Sequence, residues 1–222
     1  MFYETLAAAV PPVARTVWRP VVEGVENVPP SGPVILASNH LSFADSVVIP
    51  CVAPRRVVFL AKAEYFTASG VRGRLSKAWF TGLGAVPVSR DDTKSAIDSL
   101  QTALEVLRRG DALGLYPEGT RSRDGRLYRG RTGVAHLALV SGAPIVPVGL
   151  HGTDRLQPVG SRLPRLVKVT ARFGAPISPA GQYDGVPAGR ARREITDLVM
   201  SEIQKLSGQE AAGVYNERPP EA

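Results

Sequence analysis

Residues 91–123 read DDTKSAIDSLQTALEVLRRGDALGLYPEGTRSR, a helical pattern followed almost at once by a strand pattern. Asp91 or Asp92 offers a side-chain oxygen to cap a helix in which Ile97, Leu100, Leu104 and Leu107 recur at spacings of three and four. That period places apolar side chains on one face. Gly110 stops the helix, because glycine adopts the left-handed backbone of a helix end at little cost. Ala112 to Tyr116 then form a short apolar run of strand length. A polar loop with Gly119, Thr120, Arg121 and Ser122 comes next, and in α/β proteins chemistry resides in loops beyond strand ends.

Outward from this unit the same alternation continues. Short β-branched or apolar runs at Val34–Ala37, Val57–Ala61, Ala85–Val88, Ile145–Leu150 and Leu166–Phe173 are candidate strands. A helix is expected from about Thr132 to Val140, ended by Gly142 and Pro144. Another is expected through Ile195, Val199, Ile203 and Leu206, ended by Gly208. Strand and helix in alternation predict an α/β fold with a single central mixed sheet flanked by helices on both faces. One domain is expected over 23–207, and the polar stretch 208–222, with two prolines and no periodicity, reads as a mobile tail.

Residues 1–22 carry Phe2, Tyr3, Leu6, Val10, Val13, Val17 and Trp18 among Arg15 and Arg19, with Pro11, Pro12 and Pro20 as breaks. This composition suits a short amphipathic helical segment in two pieces, lying in a membrane interface or packed on its own domain. The chain is 44% apolar with a formal charge of +7, from 27 Lys and Arg against 20 Asp and Glu. Such an excess favours anionic partners, whether nucleic acid, lipid headgroups or phosphorylated substrates. A single cysteine, Cys51, excludes an internal disulfide and a thiolate metal cluster, and suits a reducing compartment. The N-terminus lacks the pattern of a secretory signal, and no apolar run reaches the roughly 18 residues that a spanning helix requires.

Two clusters of polar residues follow strands. Ser38-Asn39-His40-Leu41-Ser42-Phe43-Ala44-Asp45 succeeds the strand at 34–37. On one continuous helix His40 and Asp45 would diverge by roughly 140°, so they meet only if His40 lies in the loop and Asp45 in the first helical turn. There the carboxylate can fix the imidazole tautomer and leave the second ring nitrogen as a general base. Ser42-x-x-Asp45 also fits a capping box, which would make Asp45 a helix-start residue only. The second cluster, Glu118-Gly119-Thr120-Arg121-Ser122, opens a run in which Arg121, Arg123, Arg126, Arg129 and Arg131 face one acid, Asp124. A guanidinium suits phosphate, while a solvated basic loop is the plainer reading.

These blocks resemble, in the same order, those of the glycerol-phosphate and lysophosphatidic acid acyltransferase family. Asn39-His40 with Asp45 is similar to its N-H-x-x-x-x-D signature, Gly84 to Arg90 to its second block, Glu118 to Ser122 to its third and Ala143 to Val148 to its fourth. Phe59 to Glu64 is also similar to a segment common there. The resemblance spans about residues 24–175. It implies His40 as the base that deprotonates an acceptor hydroxyl and Asp45 as the residue that holds it. It further implies that Arg90 and Arg121 grip the acceptor's phosphate, with Glu118, Gly119 and Thr120 shaping the pocket and Lys62 as a further substrate-binding cation. Pro144 to Val148 would be a buried strand lining the acyl or acceptor region. The stretch Tyr128 to Gly133 departs from the Lys-x-Gly spacing of many members, which leaves the donor's cation unassigned.

The implied reaction transfers a fatty acyl group from acyl-CoA or acyl carrier protein to 1-acyl-glycerol-3-phosphate, forming phosphatidic acid in phospholipid synthesis. The partners are then the acyl donor, lysophosphatidic acid and an anionic membrane surface, with the protein peripheral or monotopic on the cytoplasmic face of the cell membrane. A thioester is already activated, so no cofactor and no metal is expected. A base, an oxyanion site and positioning suffice, and backbone N–H groups near the start of the Asp45 helix are the expected oxyanion donors. Glycerol-3-phosphate or another lysolipid is the alternative acceptor. A serine hydrolase elbow and a phosphate-binding loop of the G-x-x-x-x-G-K type are both absent from the sequence. His40, His136 and His151 lack a paired zinc spacing. A basic nucleic-acid-binding domain has the charge but only 6% aromatic residues, and an inactive lipid-binding relative would not need the His, Asp, Glu and Arg positions that are present.

Overall fold

The computed structural model describes residues 12, 15–63, 66, 70, 73, 81, 85–88, 93–158, 160, 161 and 163–217. Along them lie β1 (Val21–Glu23), β2 (Val34–Ser38), α1 (Asp45–Val52), β3 (Val57–Lys62), β4 (Val86–Val88) and α2 (Thr93–Arg108). β5 (Ala112–Leu115), α3 (Gly133–Ser141), β6 (Ile145–His151), the short α4 (Thr153–Leu156), β7 (Thr170–Phe173) and α5 (Ala188–Ser207) follow. The strands form one sheet in the order β1-β7-β6-β2-β5-β3-β4. Neighbours run parallel except β6 and β7, so the sheet is mixed.

Alternation along β2 assigns the two faces. Ile35 and Ala37 point into a cluster with Leu113 and Ile145, covered by Ala103 and Leu107 of α2, Val134 and Leu137 of α3 and Ile195, Val199 and Ile203 of α5. Val34 and Leu36 face the other way, with Ala112, Val146 and Val148, under Ile49 and Val52 of α1. All five residues of β2 are buried, as a parallel strand covered on both sides requires. Full burial of a side chain such as Ile195 or Ile203 contributes roughly 1.5–3 kcal/mol, which fixes α5 against the sheet. The apolar stripe of α2 begins later than its sequence period implies, because Ile97 is 54% exposed.

Three boundaries differ from expectation. β7 begins at Thr170 rather than Leu166, which projects into solvent after Pro164 and Arg165. Val21 and Val22, expected within the N-terminal helical segment, pair instead in β1 with Thr170 and Ala171. Ahead of them Trp18 donates from Nε1 to the Arg165 carbonyl at 2.9 Å and packs on Ala44, Leu156 and Val169. Arg15 Nε donates to the Cys51 carbonyl at 2.7 Å, so residues 15–18 are docked on their own domain. The rest of the expected amphipathic segment, residues 1–11, 13 and 14, lies outside the described residues. No helix among the described residues is long and apolar enough to cross a membrane.

The third difference is at the C-terminus, where a mobile tail was expected from residue 208. Gly208 does end α5, at φ 69°. Beyond it, Leu127 N–H donates to the Glu210 carbonyl, Ala212 N–H to the Leu127 carbonyl and Arg129 N–H to the Val214 carbonyl, each at 2.8 Å. The segment is polar because it is held by hydrogen bonds rather than by an apolar face.

Candidate active site

β2 and β5 are parallel neighbours, with Ala37 opposite Leu115, so the loops that leave their C-terminal ends emerge side by side. The first begins with the buried Asn39. Its Oδ1 accepts the Leu150 N–H at 2.7 Å and its Nδ2 donates to the Leu150 carbonyl at 2.9 Å. The side-chain amide thus takes the β6 backbone partners that a longer β2 would have used. Released from the ladder, the chain turns and presents His40.

His40 and Asp45 meet across this turn. His40 Nδ1 lies 2.8 Å from Asp45 Oδ2, and the same oxygen accepts the N–H groups of Leu41 at 2.7 Å and Ser42 at 2.8 Å. Asp45 Oδ2 thus holds both the imidazole and the turn ahead of α1, but the reciprocal half of a capping box is missing, because Ser42 Oγ accepts from Ala44 N–H and Ala44 is the N-cap. With Asp45 ionised the contact requires the proton on Nδ1, which leaves the Nε2 lone pair free. The imidazole is 16% exposed and its partner fully buried. Ser42 Oγ donates to the Gln157 carbonyl at 2.8 Å and accepts the Ala44 N–H at 3.2 Å, a structural use of the hydroxyl. The expected oxyanion donors are largely taken: Leu41 and Ser42 N–H by Asp45, Ala44 N–H by Ser42 Oγ and Asp45 N–H by the Ser42 carbonyl.

Tyr116, which sequence reading treated only as a strand end, orients the imidazole. Its ring stacks on His40 with centroids 3.8 Å apart and planes 7° from parallel, and it stacks in turn on Phe59 at 5.4 Å. Tyr116 and Ser46 hydroxyls are 2.8 Å apart. Phe59 fits because β5 carries Gly114 beneath it, where an added Cβ would stand 2.1 Å from the ring. The available signal was an aromatic residue placed between a buried strand and Pro117-Glu118.

Glu118 joins the two loops. Its side chain is fully buried, with Oε1 accepting the His40 N–H and Oε2 the Tyr128 N–H, both at 2.9 Å. Ser122 N–H donates to the His40 carbonyl at 2.8 Å, so the second loop grips the His40 peptide from both ends. Burial pushes the Glu118 carboxyl up to about 7; the two N–H groups oppose this, and the negative charges of Asp45 and Asp124 add to it.

Gly119 has φ +80° and is exposed, as is Arg121, with the half-buried Thr120 between them. Asp124 organises the arginine run by accepting from Ser122 Oγ, Arg126 Nε and the Tyr128 hydroxyl, and the Arg126 guanidinium holds its carboxyl well below the usual range. Lys62 ends β3, the other neighbour of β5, and so belongs to the same edge of the sheet. Arg90 lies outside the described residues.

From His40 a cavity of about 330 Å³ runs between the sheet and helices α2 and α3. Leu60, Leu100, Ala103, Leu113, Val134 and Leu137 make its apolar wall, while His40, Ser99, Tyr116 and Arg131 bring polar side chains to its lining. Ile145 to Val148 fall in the buried strand expected of them, with the partly buried Pro144 just ahead of it, yet this cavity is lined by β3, β5, α2 and α3 instead of β6. Arg131 is a second residue that sequence reading left unassigned, one of five arginines in the run. The site thus joins an imidazole oriented by a carboxylate, the Arg131 guanidinium and an apolar-walled cavity, an arrangement suited to deprotonating a hydroxyl beside an apolar chain.

The family model described as Acyltransferase matches residues 19–151. A chloroplastic 1-acyl-sn-glycerol-3-phosphate acyltransferase of Brassica napus is 34% identical over 141 residues, 63% of this chain and 39% of that protein. The alpha 1-acyl-sn-glycerol-3-phosphate acyltransferase of Homo sapiens is 34% identical over 131 residues, 59% of this chain and 44% of its own. The chain therefore spans less than half the length of these curated relatives. The crystal structure of the 1-acyl-sn-glycerophosphate (LPA) acyltransferase PlsC from Thermotoga maritima superposes with a TM-score of 0.70 at 27% identity, covering 91% of this chain and 79% of that one.

Proposed function

The chain belongs to the Acyltransferase family, and on that premise we propose that it transfers a fatty acyl group from a thioester to the free hydroxyl of 1-acyl-glycerol-3-phosphate, forming phosphatidic acid. The observation that carries this reading is the His40–Asp45 pair at the polar end of an apolar cavity. The names of the relatives point to the same acceptor.

In this reading His40 Nε2 takes the proton of the acceptor hydroxyl as its oxygen bonds to the thioester carbonyl carbon. The imidazolium, stabilised by Asp45, then returns the proton to the thiolate as the carbon–sulfur bond breaks. Atoms balance without a cofactor or metal, because the thioester supplies the driving force. The cavity receives an acyl chain; its volume lies in the range of ligand pockets. Arg121 and Arg90 bind the acceptor's phosphate, Lys62 is a further cation of the site, and Glu118, Gly119 and Thr120 shape the loop. The donor is acyl-CoA or acyl carrier protein, and the reaction takes place at an anionic membrane surface on the cytoplasmic side. The formal charge of +7 supports that surface.

Thiol release from palmitoyl-CoA with detergent-dispersed lysophosphatidic acid tests this, with the His40→Ala protein run in parallel. Acceptor-dependent release with phosphatidic acid as product, lost in the variant, is expected. Turnover near the wild-type level in His40→Ala would remove the base. No acceptor-dependent release with either acyl-CoA or acyl carrier protein donors would remove the reaction. Arg121→Ala is expected to raise the acceptor KM more than it lowers kcat.

A further inference from the structure

Residues 209–216 lie beyond the stretch matched by the family model and lie across both loops of the site. Gln209 Oε1 accepts from Asn39 Nδ2 at 2.7 Å, next to His40, and its Nε2 donates to the Gly125 carbonyl at 2.7 Å. At the far end Asn216 Nδ2 donates to the Arg121 carbonyl at 3.1 Å. Between them stands Tyr215. The Arg129 and Arg131 guanidiniums lie 5.2 and 5.8 Å from its ring centroid, and Arg193 Nη1 donates to its hydroxyl at 3.1 Å.

Arg131 is the one of these cations that lines the cavity with His40. Its backbone is fixed by donation from its N–H to the Pro117 carbonyl at 2.8 Å. Its side chain then crosses Gly119, with Nε 3.0 Å from where a Cβ on Gly119 would stand. Gly119 is therefore required twice, for its positive φ and for the passage of Arg131. Among the described residues neither Arg129 nor Arg131 forms an ion pair with a carboxylate, although both share one ring. Two like charges gathered around one aromatic ring, with no carboxylate paired to either among the described residues, form a cationic site at the cavity mouth. An unanchored arginine would lose rotamer freedom on gripping a ligand; the ring and the backbone bond reduce that loss beforehand.

We infer that Arg131 binds a phosphate ester at the mouth of the cavity and that Tyr215, on the C-terminal segment, is its positioning residue. The inference rests on the proposed reaction for the choice of ligand, which is the phosphate of the lysolipid acceptor or a phosphate of the CoA donor.

Equilibrium binding of lysophosphatidic acid, 1-monoacylglycerol and CoA is measured on the full chain, with turnover followed separately. Arg131→Ala is expected to weaken lysophosphatidic acid or CoA by about ten-fold, as loss of a charge-assisted hydrogen bond implies. Binding of monoacylglycerol, which has no phosphate, stays unchanged, and the ligand affected identifies the source. Tyr215→Ala is expected to weaken the same ligand by about three-fold. Tyr215→Phe keeps the ring and is expected to bind as wild type, which a merely structural role of the hydroxyl would not allow. A Tyr215→Ala protein that unfolds early is recognised by its Tm, and Arg131→Ala and Tyr215→Phe then decide. Unchanged binding in Arg131→Ala, equal weakening of monoacylglycerol, or no phosphate-selective binding by wild type would overturn the assignment. Phosphate-selective binding without turnover would overturn the reaction and leave the anion site standing.

Discussion

Replacing Glu118 with glutamine preserves shape while removing both a charge and an acceptor, and the structure sets the two effects against each other. In the wild type each carboxyl oxygen accepts one backbone N–H, from His40 and from Tyr128. Glutamine keeps one acceptor and turns an NH₂ group toward the other N–H, leaving two buried donors opposed. An unsatisfied buried donor costs roughly 1–3 kcal/mol, so the pair costs about 3 kcal/mol. Against this stands the cost of the buried charge. The Glu118 carboxyl titrates at about 7 instead of its ordinary 4.5, and at roughly 1.4 kcal/mol per pH unit the difference is about 3 kcal/mol. The folded state binds this proton more tightly than the unfolded state, so the contribution is fully present below pH 4.5 and is lost as pH rises through about 7. Glu118→Gln is therefore expected to be less stable than wild type by about 3 kcal/mol near the ordinary carboxyl pKa, with the gap closing toward zero above the folded one. Urea unfolding of both proteins at a series of pH values gives the difference curve, in which other titrating groups cancel. A gap that does not change across that window, or a variant at least as stable at its acidic end, would refute the reasoning.

Asp45→Asn is expected to lower kcat by about 10²- to 10⁴-fold, because the neutral amide stabilises an imidazolium poorly; a kcat equal to wild type would remove Asp45 from the reaction. Gly114→Ala places a methyl 2.1 Å from the Phe59 ring, so an overpacking cost of about 1–3 kcal/mol is expected in Tm, with a fall in kcat as Tyr116 and His40 shift. An unaltered kcat would show that the ring column does not set the imidazole. Ser42→Ala should cost about 1 kcal/mol through the lost bond to Gln157 and keep its turnover, whereas abolished turnover would make the hydroxyl a nucleophile.

What the sequence made legible was periodic or local. The spacing of four between Ile195, Val199 and Ile203 is the buried face of α5, and the apolar run of Val34 to Ala37 is the core of β2. His40 and Asp45 could be paired because the distance between them is short enough for helix geometry to decide when they meet. Features that depend on distant partners stayed hidden. Val21 to Glu23 have no period of their own and become a strand only because Thr170 to Arg172 lie alongside. Gln209 looks like any polar tail residue until Asn39, far away in the chain, supplies a buried amide for it. Tyr116 and Arg131 are ordinary members of a strand end and an arginine run; only the stacking on His40 and the cavity lining single them out.

The wall of the cavity is also the interior of the protein. Ala103, Leu113, Val134 and Leu137 line the void and are at the same time buried members of the cluster that packs α2 and α3 onto the sheet. Side chains of a folded core normally pack on one another, and an apolar occupant of the cavity gives these walls packing contacts that solvent does not. An apolar occupant thus acts as a missing core side chain and should raise Tm on entering. The converse holds for sequence change: a larger side chain at Ala103 is expected to occupy part of the same space and so shorten what the cavity can accept. Stability and the length of the guest are then set by the same few side chains, and one cannot be tuned without the other.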